Sequence, residues 1–550
     1  MPAPFFRETP TLRSAIGFQC KVLALRLKRN TENAFNLQLR SHAVDATGFS
    51  GIIAESRTPL YSRRDEHEHL LELGKVQNLR VAIRELDGVS ISAGSTFSFW
   101  KHVGRPTRRK GYVEGRELRE GCMIPSVGGG ICQLSNALYD TALRAGFEIV
   151  ERHAHSQVIP GSLAEIGRDA TVFWNHIDLR FRANHAFKIE VRLSRTELIV
   201  RFKAPSASRA ERASTAPSFS GITPRIQECA SCGNGTCFRN KPITPVRKWS
   251  TALLLNENWA EYAHYCSTPH NNAYGISVSA GRRLILSLSL RMSNSGAGRQ
   301  RALLKYNADV AADLARQLSP AVEHVLVTQD LLAYLWRSGH LGGRSFDVLM
   351  TRLPFRKLHE RLDFAKHLHP ESSTLREYRA DSALIDDEEM ALREARKIIT
   401  PHEEIAELYP EKTERLTWLI PTMRRAPGKS EYVVFPFSTL ARKGAYELRE
   451  VARTLNLKVA LVGKELEAEN FWRGITVRRF SSDQDWLSRA AVVAAPAFVE
   501  HQPRSLLKAI ACGIPVIATQ ACGISGLPGV STIPAGDCEA LSAAILKMIQ

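Results

Sequence analysis

Cys132 follows three consecutive glycines, Gly128, Gly129 and Gly130, and opens a run in which Leu134, Ala137, Leu138, Thr141, Ala142 and Ala145 recur at helical spacing. Gly146 stands where such a helix would stop. The pattern predicts a cysteine at a helix N-terminus, where positive partial charge and free N–H groups lower a thiol pKa and hold a developing oxyanion. The next run, FEIVERHAH, reads as a strand, and in a strand His153 and His155 share one face. An imidazole delivered to the sulfur would complete a thiolate–imidazolium pair. Asp169, in GRDATVFW, is the candidate third member that orients a histidine. The plainer alternative makes Cys132 a small buried hydrophobe, the glycines a device for close packing and Asp169 a turn residue. Gln133 and Ser135, in the first helical turn, are read first as caps, with hydrogen bonds to a substrate as the alternative.

The elements around these residues describe an α+β module. HEHLLELGKVQNLRVAIRELDG is helical up to Gly88, VSISAGSTFSFW is strand with a turn at Ala93-Gly94, and Pro106 to Gly121 is a basic, glycine-punctuated loop bordering a site. The alternating runs IDLRFRA, FKIEVRLS and LIVRFKA close the module as antiparallel strands. From Trp249 onward strands alternate with helices. The rhythm is clearest in YVVFPF, ARKGAYELREVARTLN, KVALVG, AVVAAPAF, PRSLLKAIACG and PVIATQ, which indicate a doubly wound parallel sheet. Ligands of such sheets lie at the carboxyl ends of the strands, where helix N-termini meet phosphates.

Composition narrows the setting. The 550 residues exceed one core, and 44% hydrophobic with 24% charged residues is ordinary for a globular chain. The formal charge of +18 favours anionic partners. Nucleic acid ranks last among these, because no RNP, zinc-finger or helix-turn-helix pattern accompanies the charge. No apolar run is long enough to span a bilayer. The stretch Leu12 to Arg29 has the pattern of a basic amphipathic helix, a candidate for peripheral membrane contact. Ten cysteines without a secretion signal point to a reducing compartment, hence the cytoplasm, with the inner face of the membrane as the place of any such contact. Residues 204–248 are rich in Ser, Ala and Pro and read as a linker. They contain Cys229, Cys232 and Cys237, whose C-x2-C-x4-C spacing suits zinc or an iron–sulfur cluster but lacks an adjacent fourth ligand.

GGGICQLSNALYDTALRAG, ERHAHS, GRDATVFWNHIDLRFR, GSTFSFWKHVG and KGYVEG closely resemble the VanW family across about residues 60–203. That family, named for a vancomycin-resistance accessory protein, implies an association with the cell envelope and supplies no reaction. The C-terminal half resembles a retaining, group 1 (family 4) glycosyltransferase with two facing Rossmann-like domains (GT-B). The resemblance is carried by EHQPRSLLKAIACGIPVIATQACGISGLPG, IPAGDCEALSAAI and ARKGAYEL. It implies that Glu500 contacts the donor sugar, that Lys443 with neighbouring Arg442 meets the diphosphate, and that no divalent metal is required. Gly513 and Gly523 are turn glycines, a role that leaves a phosphate-facing one open to both, and Gly523 is the candidate donor-binding one. Two positions depart from the family pattern. Lys508 stands where a second glutamate usually holds the ribose hydroxyls, and Ser438 where a further arginine is usual.

The expected organisation is therefore a basic N-terminal extension (1–59), the VanW-like module (60–203), the cysteine-bearing linker (204–248), an acceptor-side Rossmann-like domain (249–420) and a nucleotide-sugar domain (421–550). The expected activity is transfer of a sugar from a nucleotide-diphosphate donor to a glycan or lipid-linked acceptor in envelope polysaccharide or glycolipid assembly. Two rival readings stay open: a thiol acyl-transferase or amidase centred on Cys132, and a sugar-nucleotide-binding protein without catalysis.

Overall fold

A computed structural model describes residues 48–205 and 251–549, apart from 62–65, 120–121, 156–161, 175, 257–258, 268–272, 277, 279, 293–295, 377–378, 429 and 481–484, together with a few residues between 20 and 31. The cysteine cluster at 229–237 and most of the predicted basic helix at 12–29 lie outside the described residues. The chain divides into two compact units. The first takes in Met1–Lys248 with two short later stretches, and the second most of the chain from Trp249 onward.

The first unit is α+β, as its alternating runs predict. Its strands are β1 (Gly51–Pro59), β2 (Ser90–Ile91), β3 (Thr96–Ser98), β4 (Glu114–Arg119), β5 (Cys122–Val127), β6 (Glu148–Glu151), β7 (Arg180–Arg182), β8 (Phe187–Leu193) and β9 (Glu197–Ala204). They form an antiparallel sheet β1-β9-β8-β2, a second sheet β3-β7-β6 and the hairpin β4-β5. Every second residue of β8 and β9 is buried, the signature of a sheet with one wet face. Helix α1 (Glu66–Arg84) and the cysteine helix α2 (Cys132–Arg144) flank this framework, and α2 packs on β1 and β9. Phe97, Phe181, Phe187 and Phe202 are fully buried in one cluster with Phe147. Each such ring contributes about 2 kcal/mol through burial.

Two expectations are corrected here. The module begins at β1, inside the stretch assigned to the basic extension, because β1 pairs with β9 along Gly51–Pro59. The basic loop from Pro106 to Gly121 includes β4, one arm of the β4-β5 hairpin.

The second unit holds two parallel sheets of six strands. The first comprises β10 (Thr251–Leu254), β11 (Ala273–Ile276), β12 (His324–Thr328), β13 (Ser345–Leu349), β14 (Lys397–Thr400) and β15 (Thr413–Arg415), in the order β11-β10-β12-β13-β14-β15. The second comprises β16 (Tyr432–Phe435), β17 (Lys458–Leu461), β18 (Thr476–Arg479), β19 (Ala490–Ala495), β20 (Val516–Thr519) and β21 (Val530–Ile533), in the order β18-β17-β16-β19-β20-β21. Central strands such as β12, β19 and β20 are apolar almost throughout and buried on both faces, as helix-covered parallel strands require. Its helices include α3 (Ala260–Ser267), α4 (Ala280–Met292), α5 (Gly296–Gln317), α6 (Glu403–Leu408), α7 (Ala445–Thr454) and α8 (Arg504–Ala511). One cluster of buried side chains, including Trp259, Leu349, Ile399, Trp418, Val434, Val493 and Leu507, is continuous across both sheets.

Candidate functional site

In the first unit the glycine run is a packing device. A Cβ on Gly115 would come within 2.4 Å of the Gly129 carbonyl oxygen, and one on Gly130 within 2.1 Å of the Lys75 side chain. Asn78 of α1 seals this approach, donating to the carbonyls of Val113 (3.0 Å) and Gly129 (2.8 Å) and accepting from Val113 N (2.8 Å). Cys132 is the first residue of α2, as predicted, yet it is partly buried and its Sγ donates to the Val172 carbonyl at 3.8 Å. Burial pushes the thiol up, against the lowering expected of a helix N-terminus. Neither predicted cap is one: Gln133 Nε2 donates to Thr58 Oγ1 (2.9 Å) and Pro59 O (2.8 Å), and Ser135 Oγ to Ala170 O (2.6 Å).

The histidines differ from their predicted placement. Strand β6 ends at Glu151, so His153 and His155 lie in irregular chain beyond it and share no strand face. There Asp169 Oδ2 takes both the His155 backbone N–H (2.6 Å) and Nδ1 (2.7 Å), so the His155 backbone donor is satisfied by a side chain instead of a neighbouring strand. Arg152 Nη2 donates to the other oxygen at 2.7 Å. Burial works to raise the Asp169 carboxyl, and the His155 hydrogen bonds with the Arg152 charge outweigh it, holding the group below the usual range. His153 contacts Glu151 at 3.4 Å. The structure thus joins His155 to Asp169. Among the described residues no hydrogen bond links either histidine to Cys132.

The second unit gathers its candidates more closely. In its second sheet the strand order reverses between β16 and β19, the switch point where doubly wound sheets open a crevice. The loop after β16 ends in a short turn, Ala441–Lys443, that carries Arg442 and Lys443 into α7. The loop after β19 carries Glu500 toward α8. The two loops are tied together where Phe498 N and Val499 N donate to the Arg442 carbonyl at 3.0 and 3.2 Å. Gly444 allows that approach: its φ is +80°, and a Cβ there would meet the Pro496 oxygen at 2.1 Å.

Lys443 Nζ donates to Glu500 Oε2 (2.8 Å) and to the Val499 carbonyl (2.9 Å), and stands 5.1 Å from the centre of the Phe437 ring. The other Glu500 oxygen accepts Gln502 N at 2.7 Å. Burial lowers the Lys443 ammonium, Glu500 opposes this, and the Arg442 charge adds to it. Among the described residues the buried Nε of Arg442 has no hydrogen-bond partner. Lys443 thus pairs with the Glu500 carboxylate while the Arg442 charge acts on the same ammonium.

Gly523 sits one strand further along, with φ +64°; its carbonyl accepts Trp418 Nε1 at 2.9 Å, and the space of its missing Cβ is filled by the His402 ring. Lys508 lies in the second turn of α8, partly buried, while Glu500 precedes the helix. Ser438 Oγ accepts Lys464 N at 3.2 Å.

Two histidines that the sequence reading passed over complete the setting. His402, at the start of α6, directs Nε2 at the carbonyls of Glu500 (3.1 Å) and Ala521 (3.2 Å). His501 Nε2 accepts Leu353 N at 3.2 Å. Burial lowers both imidazoles; for His501 the charges of His402, Lys443, Arg352 and Arg442 add to it, so His501 is neutral and its ring accepts. Both residues stand in plain view in the sequence, in TPHEE and EHQP. Their meeting across the two sheets does not. Arg504 fixes the far end of the Glu500 loop through paired bonds of 2.6 Å to buried Glu261 of α3.

Comparison with known proteins agrees with this division. Residues 74–203 match the family model described as "VanW like protein", and residues 438–550 that described as "Glycosyl transferases group 1". The uncharacterized protein YoaR of Bacillus subtilis (strain 168) is 37% identical over 118 residues, 22% of this chain and 38% of that protein. The vancomycin B-type resistance protein VanW of Enterococcus faecalis (strain ATCC 700802 / V583) is 32% identical over 136 residues, 24% of this chain and 49% of that one. The chain thus spans less than half the length of either curated relative. Among solved structures, sucrose-phosphate synthase from Thermosynechococcus elongatus is 18% identical with a TM-score of 0.32, covering 45% of this chain and 69% of that one. A UDP-forming α,α-trehalose-phosphate synthase from Burkholderia xenovorans is 10% identical with a TM-score of 0.30, covering 51% and 81%. Those two likenesses are too distant to bear on the activity. The family matches, set on the α+β module and the second parallel sheet, show a VanW domain joined in one chain to a group 1 glycosyltransferase domain.

Proposed function

We propose that the C-terminal half transfers a sugar from a nucleotide-diphosphate donor to a hydroxyl of an envelope polysaccharide or glycolipid, in the cytoplasm at the inner face of the membrane. The observation that carries this reading is the convergence of Arg442, Lys443 and Glu500 on the switch point between β16 and β19. As the bond from the sugar to the diphosphate breaks, negative charge builds on the leaving oxygen, and fixed cations in a buried crevice stabilise it without solvent reorganisation. Glu500 holds Lys443 in place; a donor diphosphate would take over the ammonium and release the carboxylate toward the sugar. Group 1 likeness supports a retaining outcome and a metal-free leaving group. With Lys508 in place of the ribose-holding glutamate, the ribose is held by other groups.

The rival thiol reading has the His155–Asp169 pair in its favour and the partly buried, raised Cys132 thiol against it. A non-catalytic sugar-nucleotide binder would keep the same cations, and turnover separates it from an enzyme. Incubating the full chain with UDP-, GDP- and ADP-sugars tests the proposal: hydrolysis or transfer of one donor supports it, and neither binding nor hydrolysis of any donor defeats it.

A further inference from the structure

Two imidazoles tie the Glu500 loop to the first parallel sheet, and each does so in one protonation state only. His402, on the loop between β14 and α6, points Nε2 at the carbonyl oxygens of Glu500 (3.1 Å) and Ala521 (3.2 Å), so Nε2 carries the ring proton. Among the described residues its buried Nδ1 has no hydrogen-bond partner. His501, next along the chain from Glu500, accepts the Leu353 N–H at 3.2 Å, so its Nε2 is bare. Leu353 follows β13, and the loop carrying Glu500 is thus held from the ends of two strands of the first sheet, β13 and β14. The two ring centres are 6.2 Å apart. The charges around them are unequal. His402 feels the carboxylates of Glu404 and Glu500, while His501 feels His402, Lys443, Arg352 and Arg442. Of these, Glu404 pairs with Arg361, Arg352 with Glu388 and Lys443 with Glu500. Glu403, beside His402, pairs with Arg415. Burial pushes the neighbouring Cys522 thiol up to about 12, so it stays neutral.

We propose that His402 and His501 are positioning residues for Glu500, and that His501 must be neutral for the loop to be held. The inference rests on the reading of Glu500 as the group that meets the donor sugar. A proton on His501 Nε2 would set two donors against each other at the Leu353 amide, beside the positive charges of Lys443, Arg352 and Arg442. A proton on His402 Nδ1 would create a buried donor without an acceptor, a cost that Glu404 and Glu500 reduce. His501 is therefore the more sensitive of the two. Opening the loop returns its ring to water, where it titrates at about 6.5. The open form then binds more protons, so the held loop is fully favoured above about pH 6.5 and loses ground as pH falls below it. Between about pH 8 and about pH 5, His501 alone shifts the balance roughly thirtyfold toward opening.

The test is hydrogen exchange of the full chain by mass spectrometry at those two pH values, corrected for the intrinsic pH dependence of amide exchange. Protection of peptides covering Leu353 and Phe498–Gln502 should fall roughly thirtyfold at the lower pH, while β19 and β20 keep theirs. His501→Gln offers Leu353 N an oxygen that takes up no proton, and its protection there should change less than about threefold. His501→Leu should have lost that protection already at the higher pH, with an unchanged circular dichroism spectrum. His402→Gln supplies two N–H donors for the two carbonyls and should keep the pH response, because His501 remains. Equal protection at both pH values in the parent, a response that survives in His501→Gln or vanishes in His402→Gln, or an equal loss at β19 and β20 would overturn the proposal. No nucleotide is present, so failure of the clamp leaves the diphosphate reading standing. Absence of diphosphate binding would remove the clamp's part in sugar transfer without altering its exchange signature.

Discussion

Exchanging Lys443 for methionine and Glu500 for glutamine, singly and together, measures how firmly the candidate site is built. The two side chains are 14% and 8% exposed, so their 2.8 Å contact is little screened by solvent. Lys443→Met leaves the Glu500 carboxylate buried with, among the described residues, Gln502 N as its remaining partner, and breaking a buried pair from one side costs about 3–5 kcal/mol. Glu500→Gln keeps an acceptor for Lys443 and for Gln502 N while removing the charge, and should cost less, about 1–3 kcal/mol. The double variant removes both buried charges and replaces them with side chains of similar volume. Its loss should therefore fall short of the sum of the single losses by about 2 kcal/mol. Urea unfolding followed by tryptophan emission reads this, since Trp472 and Trp486 are buried in the same domain. Strict additivity would show that the two groups do not hold each other, and the proposed exchange of Lys443 between Glu500 and a diphosphate would lose its basis.

Other expectations concern the frame around the site. Asp347 is held by Arg396 and His324; burial works to raise its carboxyl, and those hydrogen bonds prevail, bringing it from 3.8 down to about 2. A lowered folded-state value stabilises the fold above the unfolded value, so about 2 kcal/mol should be present above roughly pH 4 and disappear as pH falls toward 2. Acid unfolding of Asp347→Asn should lack that component, and an unchanged profile would refute the assignment. Gly523→Ala combines a positive φ with a Cβ 2.4 Å from the His402 ring, and should lower stability by about 2–4 kcal/mol, partly restored by adding His402→Ala. A melting temperature within a degree or so of the parent would contradict that packing. Mass-spectrometric mapping of iodoacetamide labelling should find Cys132 modified well after exposed Cys20, and faster labelling of Cys132 would revive the thiol reading.

The sequence disclosed most where one local rule decides the structure. Runs such as AAVVAA at 490–495 and VIAT at 516–519 bury both faces, and continuous apolar character announces such strands. The alternation in FKIEVRL likewise announced a sheet with one wet face. Features set by distant partners were hidden. GIIAESRTP carries a mixed pattern and becomes a strand by pairing with β9, nearly 150 residues later. The glycines before Cys132 read as the approach to a nucleophile, while their spatial neighbours, Gly115 and Lys75, show close packing. The histidine run had strand character, and Asp169 takes the His155 backbone donor that a neighbouring strand would use. At the candidate donor site, likeness to a family singled out Arg442, Lys443 and Glu500. That Gly444 and Pro496 let their loops close on each other followed only from the fold.

The central claim is that the crevice between β16 and β19 takes up a diphosphate. Isothermal titration of the full chain with UDP, GDP and ADP, repeated with Lys443→Met and Arg442→Ala, tests it most directly. One nucleoside diphosphate should bind the parent, and each substitution should weaken that binding by roughly tenfold or more, as loss of a charge-assisted contact to phosphate implies. Unchanged affinity in both variants, or no binding to the parent by any of the three, would contradict it.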